Sequence, residues 1–519
     1  MTVVRPVRRC SSRLRRSSAG ALIAVALAAC GTTVPGAGSA SAGLTSSDGT
    51  ALSGPASGAA AAGSAPGTVP GSTAGSRAAT APGASGQVGA GSSGAGSSGA
   101  GGASAEQPRS TADTVELGIT VPYDNTGGSN YGFKGVGKPD VHGYAKAVID
   151  SINRSGGVLG RKIVGVYAKE AETDIVDNPD GTAQATCTAF TQDAHVAFAV
   201  VLDPIADDSP NFYQCMKNAR TPFISDGAYA QTQSSYAGFA PYLHILRNAA
   251  LDHLAPVLTS RLKTRGYFEG WDPLTSGPGT LPVTFGLLLV NRPSSASASR
   301  ELAAALKRVG VDSAITYTYA DPNSQGVAAA LQTAAEAAVH FKADGVTHMF
   351  ADTEGALQAF ASAAAAQNYF PRYAVDTMND LQGLAANVPA SELKGAMGVG
   401  WDPVDDTGAV PGTAAAADCL ALMKHAGLDP AADGSVSIAL AICDEIQIFA
   451  AGARAGGGFG ASQLAAGLAK AGATVATALT LRGALSPTRL DNVGAVKDIA
   501  FSSSCSCWAY SSSQLIAVN

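Results

Sequence analysis

From Thr114 onward, short apolar strands alternate with amphipathic helices, and this alternation limits the possible folds more than any other feature of the chain. Val115 to Val121 reads as a strand and Lys162 to Ala168 as another. Between them, Val141 to Asn153 carries apolar residues at Val141, Tyr144, Ala145, Val148, Ile149 and Ile152, which line one face of a 3.6-residue helix. A helix over Thr182 to Gln192, a strand over Val196 to Leu202, a helix opened by the cap and first-turn pair Ser209-Pro210, and a strand over Pro222 to Ser225 follow. Parallel strands need crossover connections, so this order predicts an α/β sheet covered by helices on both faces. The rhythm breaks at His244 to Arg247. It restarts with strands near Val283 to Val290, Ala314 to Tyr319, Gly345 to Ala351 and Tyr373 to Asp376. Two doubly wound α/β lobes are expected, sharing a helical stretch from Thr413 to Ala473 and a final extended region from Val496 to Val518.

The chain before position 111 has another character. From about Gly31 to Gln107 it is almost wholly Gly, Ala, Ser, Thr and Pro, with too few large apolar side chains to offset the chain entropy lost on folding. Residues 30–110 are therefore expected to be a disordered tether giving several nanometres of reach. Ahead of it, six arginines in the first sixteen positions precede an apolar run from Ala19 to Ala29, too short to span a bilayer but suited to a signal-peptide core. The ending Leu27-Ala28-Ala29-Cys30 resembles the bacterial lipobox. That resemblance implies that residues 1–29 are cleaved, that Cys30 is lipidated, and that the protein sits on the outer face of the cell membrane. Arg15-Arg16 is followed by Ser17-Ser18 rather than by apolar residues, which weakens a twin-arginine reading.

Without those six arginines the formal charge falls from −6 to −12. No cluster of Lys and Arg follows position 16, so the electrostatic footprint of a nucleic-acid partner is missing. Of the 8 cysteines, Cys10 lies in the leader and Cys30 is the lipidation candidate. Cys187 and Cys215 lie on successive helices that a right-handed crossover places side by side, so a disulfide fits there. Cys419 and Cys443 also lie on consecutive helices. Cys505 and Cys507 could pair only in a small ring. The other reading, a metal or redox site, has no nearby His and no second Cys-x-x-Cys behind it.

Ile152-Asn153, Gly156-Gly157, Gly160 and Ile163 spell the INxxGGxxGxxI signature of the type 1 periplasmic-binding-protein family. Gly156 and Gly157 can end the first helix in left-handed geometry, with Leu159 expected to tuck the turn under the next strand. Ser129-Asn130-Tyr131-Gly132, Thr221-Pro222-Phe223-Ile224-Ser225 and His244-Ile245-Leu246-Arg247-Asn248 follow in family order. The chain thus resembles the branched-chain amino-acid ABC transporter substrate-binding lipoproteins over residues 111–519. The resemblance implies two Rossmann-like lobes with doubly wound parallel sheets joined by a hinge. The first would comprise about 111–246 and 392–480, the second about 247–391 and 481–519. It further implies a monomer that closes on a small polar ligand, an amino acid, amide or related compound, and delivers it to ABC permease subunits. A ligand-sensing surface lipoprotein uncoupled from transport is the alternative.

Ligands in open α/β sheets bind beyond the carboxyl ends of the strands, which directs attention to the loops there. In the first lobe these carry Tyr123, Asp124, Asn125 and Tyr131, then Asp203, Ile205 and Asp207, then Ser225, Asp226 and Tyr229. In the second they carry Asn291 and Arg292, then Asp352, Thr353 and Glu354, then Asp376, Thr377 and Asn379. The chosen ligand-binding candidates are Tyr123, Tyr131, Asp203, Ser225, Asp226, Asn291, Asp352, Thr353 and Asp376. The family's amino-acid binders hold the ligand carboxylate with a hydroxyl-rich run after the fourth strand and its ammonium with an acid of the second lobe. Asp226 in that run would repel a carboxylate, and Asp203 adds a second negative group, so a cationic, amide or polyol ligand is at least as well supported. Asp352 or Asp376 would meet an ammonium, and Tyr131 would form an aromatic wall. Capping of helix starts is the plain alternative for each Asp and Ser.

Enzymatic readings find less support. Gly132 to Lys138 fits the start of a P-loop, but Pro139 stands where a magnesium-binding hydroxyl is needed. The run Gly456 to Ala461 lies between helices, the histidines form no His-Glu-x-x-His, and no Gly-x-Ser-x-Gly follows Thr114. No cofactor and no metal are expected.

Overall fold

The computed structural model describes residues 111–124, 139–202, 209–227, 229–312 and 314–519. Cys30 with the leader and tether, and among the loop candidates Asn125, Tyr131, Asp203, Ile205 and Asp207, lie outside these residues.

The first sheet contains β1 (Thr114–Asp124), β2 (Lys162–Ala171), β3 (Phe198–Val201), β4 (Phe223–Ser225) and β5 (Leu243–Ile245), all parallel, in the order β2-β1-β3-β4-β5. Helices α1 (Val141–Arg154), α2 (Pro179–Thr188) and α3 (Pro210–Asn218) connect the strands. Each begins on a side-chain cap, Asp140, Asn178 and Ser209 respectively, which satisfies a backbone N–H left free at the helix start. The α1–β2 turn explains the glycine signature in physical terms. Asn153 donates to the Ile163 carbonyl at 2.8 Å and accepts from the Ile163 N–H at 2.7 Å. Gly157 has φ +77°, and a Cβ there would come within 2.0 Å of the Arg161 carbonyl oxygen. Leu159 does not tuck the turn. It is 45% exposed, and its neighbour Val158 supplies the buried apolar group.

Beyond β5 the chain crosses to the second lobe through α4 (Leu251–Thr264). There β6 (Phe285–Val290), α5 (Ser295–Arg308), β7 (Ala314–Tyr319), α6 (Val327–Ala343), β8 (His348–Ala351), α7 (Glu354–Ala366), β9 (Arg372–Val375), α8 (Leu381–Asn387) and β10 (Met397–Gly400) follow. The parallel order β7-β6-β8-β9-β10 repeats that of the first sheet. β10 belongs to this second sheet, so the return crossover lies after Gly400, and residues 392–400 are not part of the first lobe as the sequence led us to expect. The strand escapes notice because two of its four residues, Gly398 and Gly400, carry no side chain.

After α9 (Pro403–Thr407), the helices α10 (Ala414–His425), α11 (Val436–Gly456) and α12 (Ala461–Ala471) all join the core of the first lobe, against α1, β1 and β3. α11 is apolar nearly all round because it is enclosed on most sides, with Leu440, Ile442, Ile446, Phe449 and Ala453 fully buried. A third crossing runs beside β5, where Ile245 N–H donates to the Leu490 carbonyl and the Asn492 N–H to the Ile245 carbonyl. The chain ends with β11 (Ala495–Ser502), β12 (Cys507–Tyr510) and β13 (Ile516–Ala517), which extend the second sheet in antiparallel fashion. Disulfides join Cys187 to Cys215, Cys419 to Cys443 and Cys505 to Cys507.

Candidate functional site

The carboxyl-end loops of the two sheets meet. Tyr229, in the loop after β4, packs among Leu288, Val290 and Tyr319 of the second lobe, and the Arg292 guanidinium stacks 3.9 Å from its ring. Arg292 is held in turn by a bidentate pair with Asp321. α2 of the first lobe also touches the short helix Pro322–Gln325 of the second. The lobes are in contact across the cleft.

On the first-lobe side, Ser225 and Asp226 close β4 and are buried. The Ser225 hydroxyl accepts from Gly227 N–H at 3.2 Å. One Asp226 oxygen pairs with Arg247 at 3.3 Å, while the other is buried and makes no hydrogen bond among the described residues. Asp226 therefore has a cation of its own. Burial pushes its carboxyl up to about 6, with Arg247 opposing the shift. Tyr123 lies next to the end of β1.

Arg247 stands on the first crossover and also pairs with Asp402 at 3.4 Å and with Asp405, both on the return crossover. Its carbonyl accepts from the Trp401 indole at 2.5 Å, which ties the two crossovers together. Burial works against its charge, but Asp405, Asp226 and Asp402 outweigh burial and hold the guanidinium firmly ionised. Beneath it, Glu445 on α11 is fully buried, and neither of its carboxyl oxygens finds a partner among the described residues. Burial, then Asp226 and Asp444, push the Glu445 carboxyl well above its ordinary range.

On the second-lobe side, Asp352 follows β8 and is fully employed. It accepts from the Val290 N–H and the Tyr319 hydroxyl, each at 2.9 Å, and burial pushes it up to about 6. Thr353 caps α7, and its hydroxyl lies 3.1 Å from that of Tyr319. Asp376 caps the turn after β9 and is pushed up by burial to about 7. Asn291 is exposed, and its N–H donates to the Tyr319 carbonyl.

Beside these lie acids that sequence reasoning passed over. Glu354 and Asp380, at the starts of α7 and α8, converge on Gly383, where a Cβ would sit 2.7 Å from one and 2.4 Å from the other. Burial and the neighbouring Asp380 and Asp405 push Glu354 well up; burial and Asp405 push Asp380 up to about 6. Asp406 accepts from Thr377 at 2.9 Å and from the Tyr510 hydroxyl at 2.5 Å. Glu354, Asp380 and Asp405 are half-buried, and so they border solvent. A cavity of about 300 Å³ also opens at the end of β1, between Val121, Pro122, Lys169 and the start of α1. None of these acids lines it.

Several solved structures share this architecture at low sequence identity. A possible leucine/isoleucine/valine-binding protein from Rhodopirellula baltica is 14% identical with a TM-score of 0.51, over 78% of this chain and 97% of that one. An ABC transporter solute-binding protein from Rhodopseudomonas palustris, in complex with p-hydroxybenzoic acid, is 12% identical with a TM-score of 0.54, over 78% and 98%. The chain has the fold of the type 1 periplasmic binding proteins. A fatty acid ABC transporter substrate-binding protein from Thermomonospora curvata shares the type 1 fold at 14% identity and a TM-score of 0.51, over 79% and 94%. No protein-family model and no curated protein matches the sequence. In the type 1 fold of this chain, Ser225, Asp226, Asp352, Thr353 and Asp376 all lie at the carboxyl ends of the sheets. The return crossover adds Asp402, Asp405 and Asp406. The sequence signal for these was the density of carboxylates directly after Trp401.

Proposed function

We propose that the protein is an extracytoplasmic solute-binding lipoprotein of an ABC importer, anchored through Cys30, that closes on a small polar ligand bearing an amine or other cationic group. The type 1 fold supports the binding role, and the structural relatives named above are solute-binding proteins rather than enzymes. The observation that carries the ligand class is the charge balance at the strand ends. Glu354, Asp380 and Asp405 border solvent together, and Arg247, the cation beside them, is already shared by Asp226, Asp402 and Asp405. An ammonium or guanidinium would favour the ionised forms of Glu354 and Asp380, which burial and their acidic neighbours oppose, whereas a ligand carboxylate would disfavour them further. This differs from the carboxylate bound by the Rhodopseudomonas palustris relative.

Thermal-shift titration of the mature chain against amino acids, diamines, guanidino compounds, small amides, p-hydroxybenzoate and fatty acids tests this reading. A ligand at 100 times its Kd adds about 2.7 kcal/mol, a readily visible shift. Amines or guanidines are expected to stabilise the fold and the acids to leave it unchanged. Stabilisation by carboxylic acids alone would overturn the ligand class.

A further inference from the structure

The three disulfides differ in what they do for the fold. Cys187–Cys215 and Cys419–Cys443 each join two helices across 28 and 24 positions, and Cys187, Cys419 and Cys443 are buried. Cys505–Cys507 spans a single intervening residue at the tip of the β11–β12 hairpin, and Cys505 is exposed. The stabilisation a crosslink gives grows with the loop it closes, so so small a ring removes little freedom from the unfolded chain. The hairpin does not need it. Ser502 already pairs with Cys507 and Phe501 with Trp508 in the ladder, and the Phe501 and Trp508 rings stack edge to face at 5.3 Å. Ser506, the residue inside the ring, sits at φ +52°, a left-handed conformation that a residue with a Cβ adopts at a cost.

We infer that Cys505–Cys507 is a thiol-exchange site that reacts with low-molecular-weight thiols, rather than a structural crosslink. Ser503, Ser504 and Ser506 are small and exposed along with Cys505, so no large side chain of the hairpin tip stands between the bridge and solvent. A thiolate from the small thiol attacks Cys505 Sγ, the Cys505–Cys507 bond breaks, and Cys507 leaves as the thiolate, which takes up a proton. A second small thiolate then attacks the small-molecule sulfur of the mixed disulfide and releases Cys505 as a thiolate, which is protonated in turn. In sum, two small thiols lose two electrons and become one disulfide, and the protein bridge gains them as two thiols. Exposed disulfides are the labile ones as a class.

The test is a graded glutathione titration of the mature chain, followed by alkylation and peptide mass analysis. Cys505 and Cys507 are expected to be alkylated at thiol concentrations at least tenfold below those that open the other two bridges. A glutathione adduct on Cys505 is expected in the Cys507→Ser variant exposed to glutathione disulfide. The double variant Cys505→Ser, Cys507→Ser is expected to melt with the parent chain while losing the low-concentration phase of thiol consumption. Simultaneous opening of all three bridges, earlier opening of either helix-joining bridge, or marked destabilisation of the double variant would overturn the inference.

Discussion

Arg247 is a cation shared by three carboxylates from two separate chain segments, Asp226 from one and Asp402 and Asp405 from the other. Replacing it by Met leaves buried negative charge without a partner, a change that costs about 3–5 kcal/mol. That loss is expected at pH 7.5 by chemical denaturation and should shrink at pH 5, where the orphaned carboxyls can take up protons. The unmutated protein has a pH dependence of its own. Asp226, Asp352 and Asp380 are pushed up to about 6 and Asp376 to about 7 by burial. Between about pH 4, where these groups ionise in an unfolded chain, and pH 6 to 7, the folded state keeps protons that the unfolded state has released. Their contribution is therefore full below pH 4 and lost as pH rises through 6 to 7. Scanning calorimetry is expected to show a lower melting temperature at pH 7.5 than at pH 5. Affinity for a cationic ligand should move the opposite way, strengthening as Asp380, which borders solvent beside Glu354 and Asp405, ionises. A ligand whose binding weakens over that interval would speak against these acids as its partners.

Among the elements, α11 and α12 approach so closely that glycine is required at their contact. A Cβ on Gly467 would come within 1.8 Å of the Gly452 carbonyl oxygen, a backbone atom that cannot swing aside. Gly467→Ala should force the helices apart at a cost of about 1–3 kcal/mol, read as a lower denaturation midpoint. Removing Cys419–Cys443, which joins α10 to α11, should cost about 3 kcal/mol. Much of this element scheme is legible in the sequence wherever a side-chain rhythm exists. α1 follows its apolar stripe from Val141 to Ile152, and Ser209-Pro210 marks the start of α3. β10, with glycine at two of its four positions, carries no such rhythm, and missing it hid the return crossover. The acids Asp402, Asp405 and Asp406 were hidden with it, because their meaning comes from a strand end that was not recognised. Asp226 was legible as a cleft-side carboxylate. Its partner was not, since nothing local to Arg247 indicates an aspartate 21 residues earlier or one 155 later.

At the scale of the molecule, the lobes are bridged by Tyr229, rooted in the first lobe and buried among side chains of the second beneath the Arg292 guanidinium. Tyr229→Ala removes a buried cation–aromatic contact of about 1–2 kcal/mol together with the apolar packing around it. Small-angle scattering of the ligand-free variant should show a larger radius of gyration, and ligand affinity should fall about tenfold. An unchanged scattering profile would mean that other contacts hold the lobes together. The path of the chain has a further consequence. The core of the first lobe is assembled from β1 to β5 and then, after an excursion through the whole second parallel sheet, from α10, α11 and α12. A nascent chain that has reached residue 400 holds a complete set of first-lobe strands with one face of the sheet covered by α1 alone. Synthesis therefore runs most of its course before either half of the domain can become self-sufficient, and a ribosome stalled anywhere before about residue 471 should display a chain that proteases cut readily.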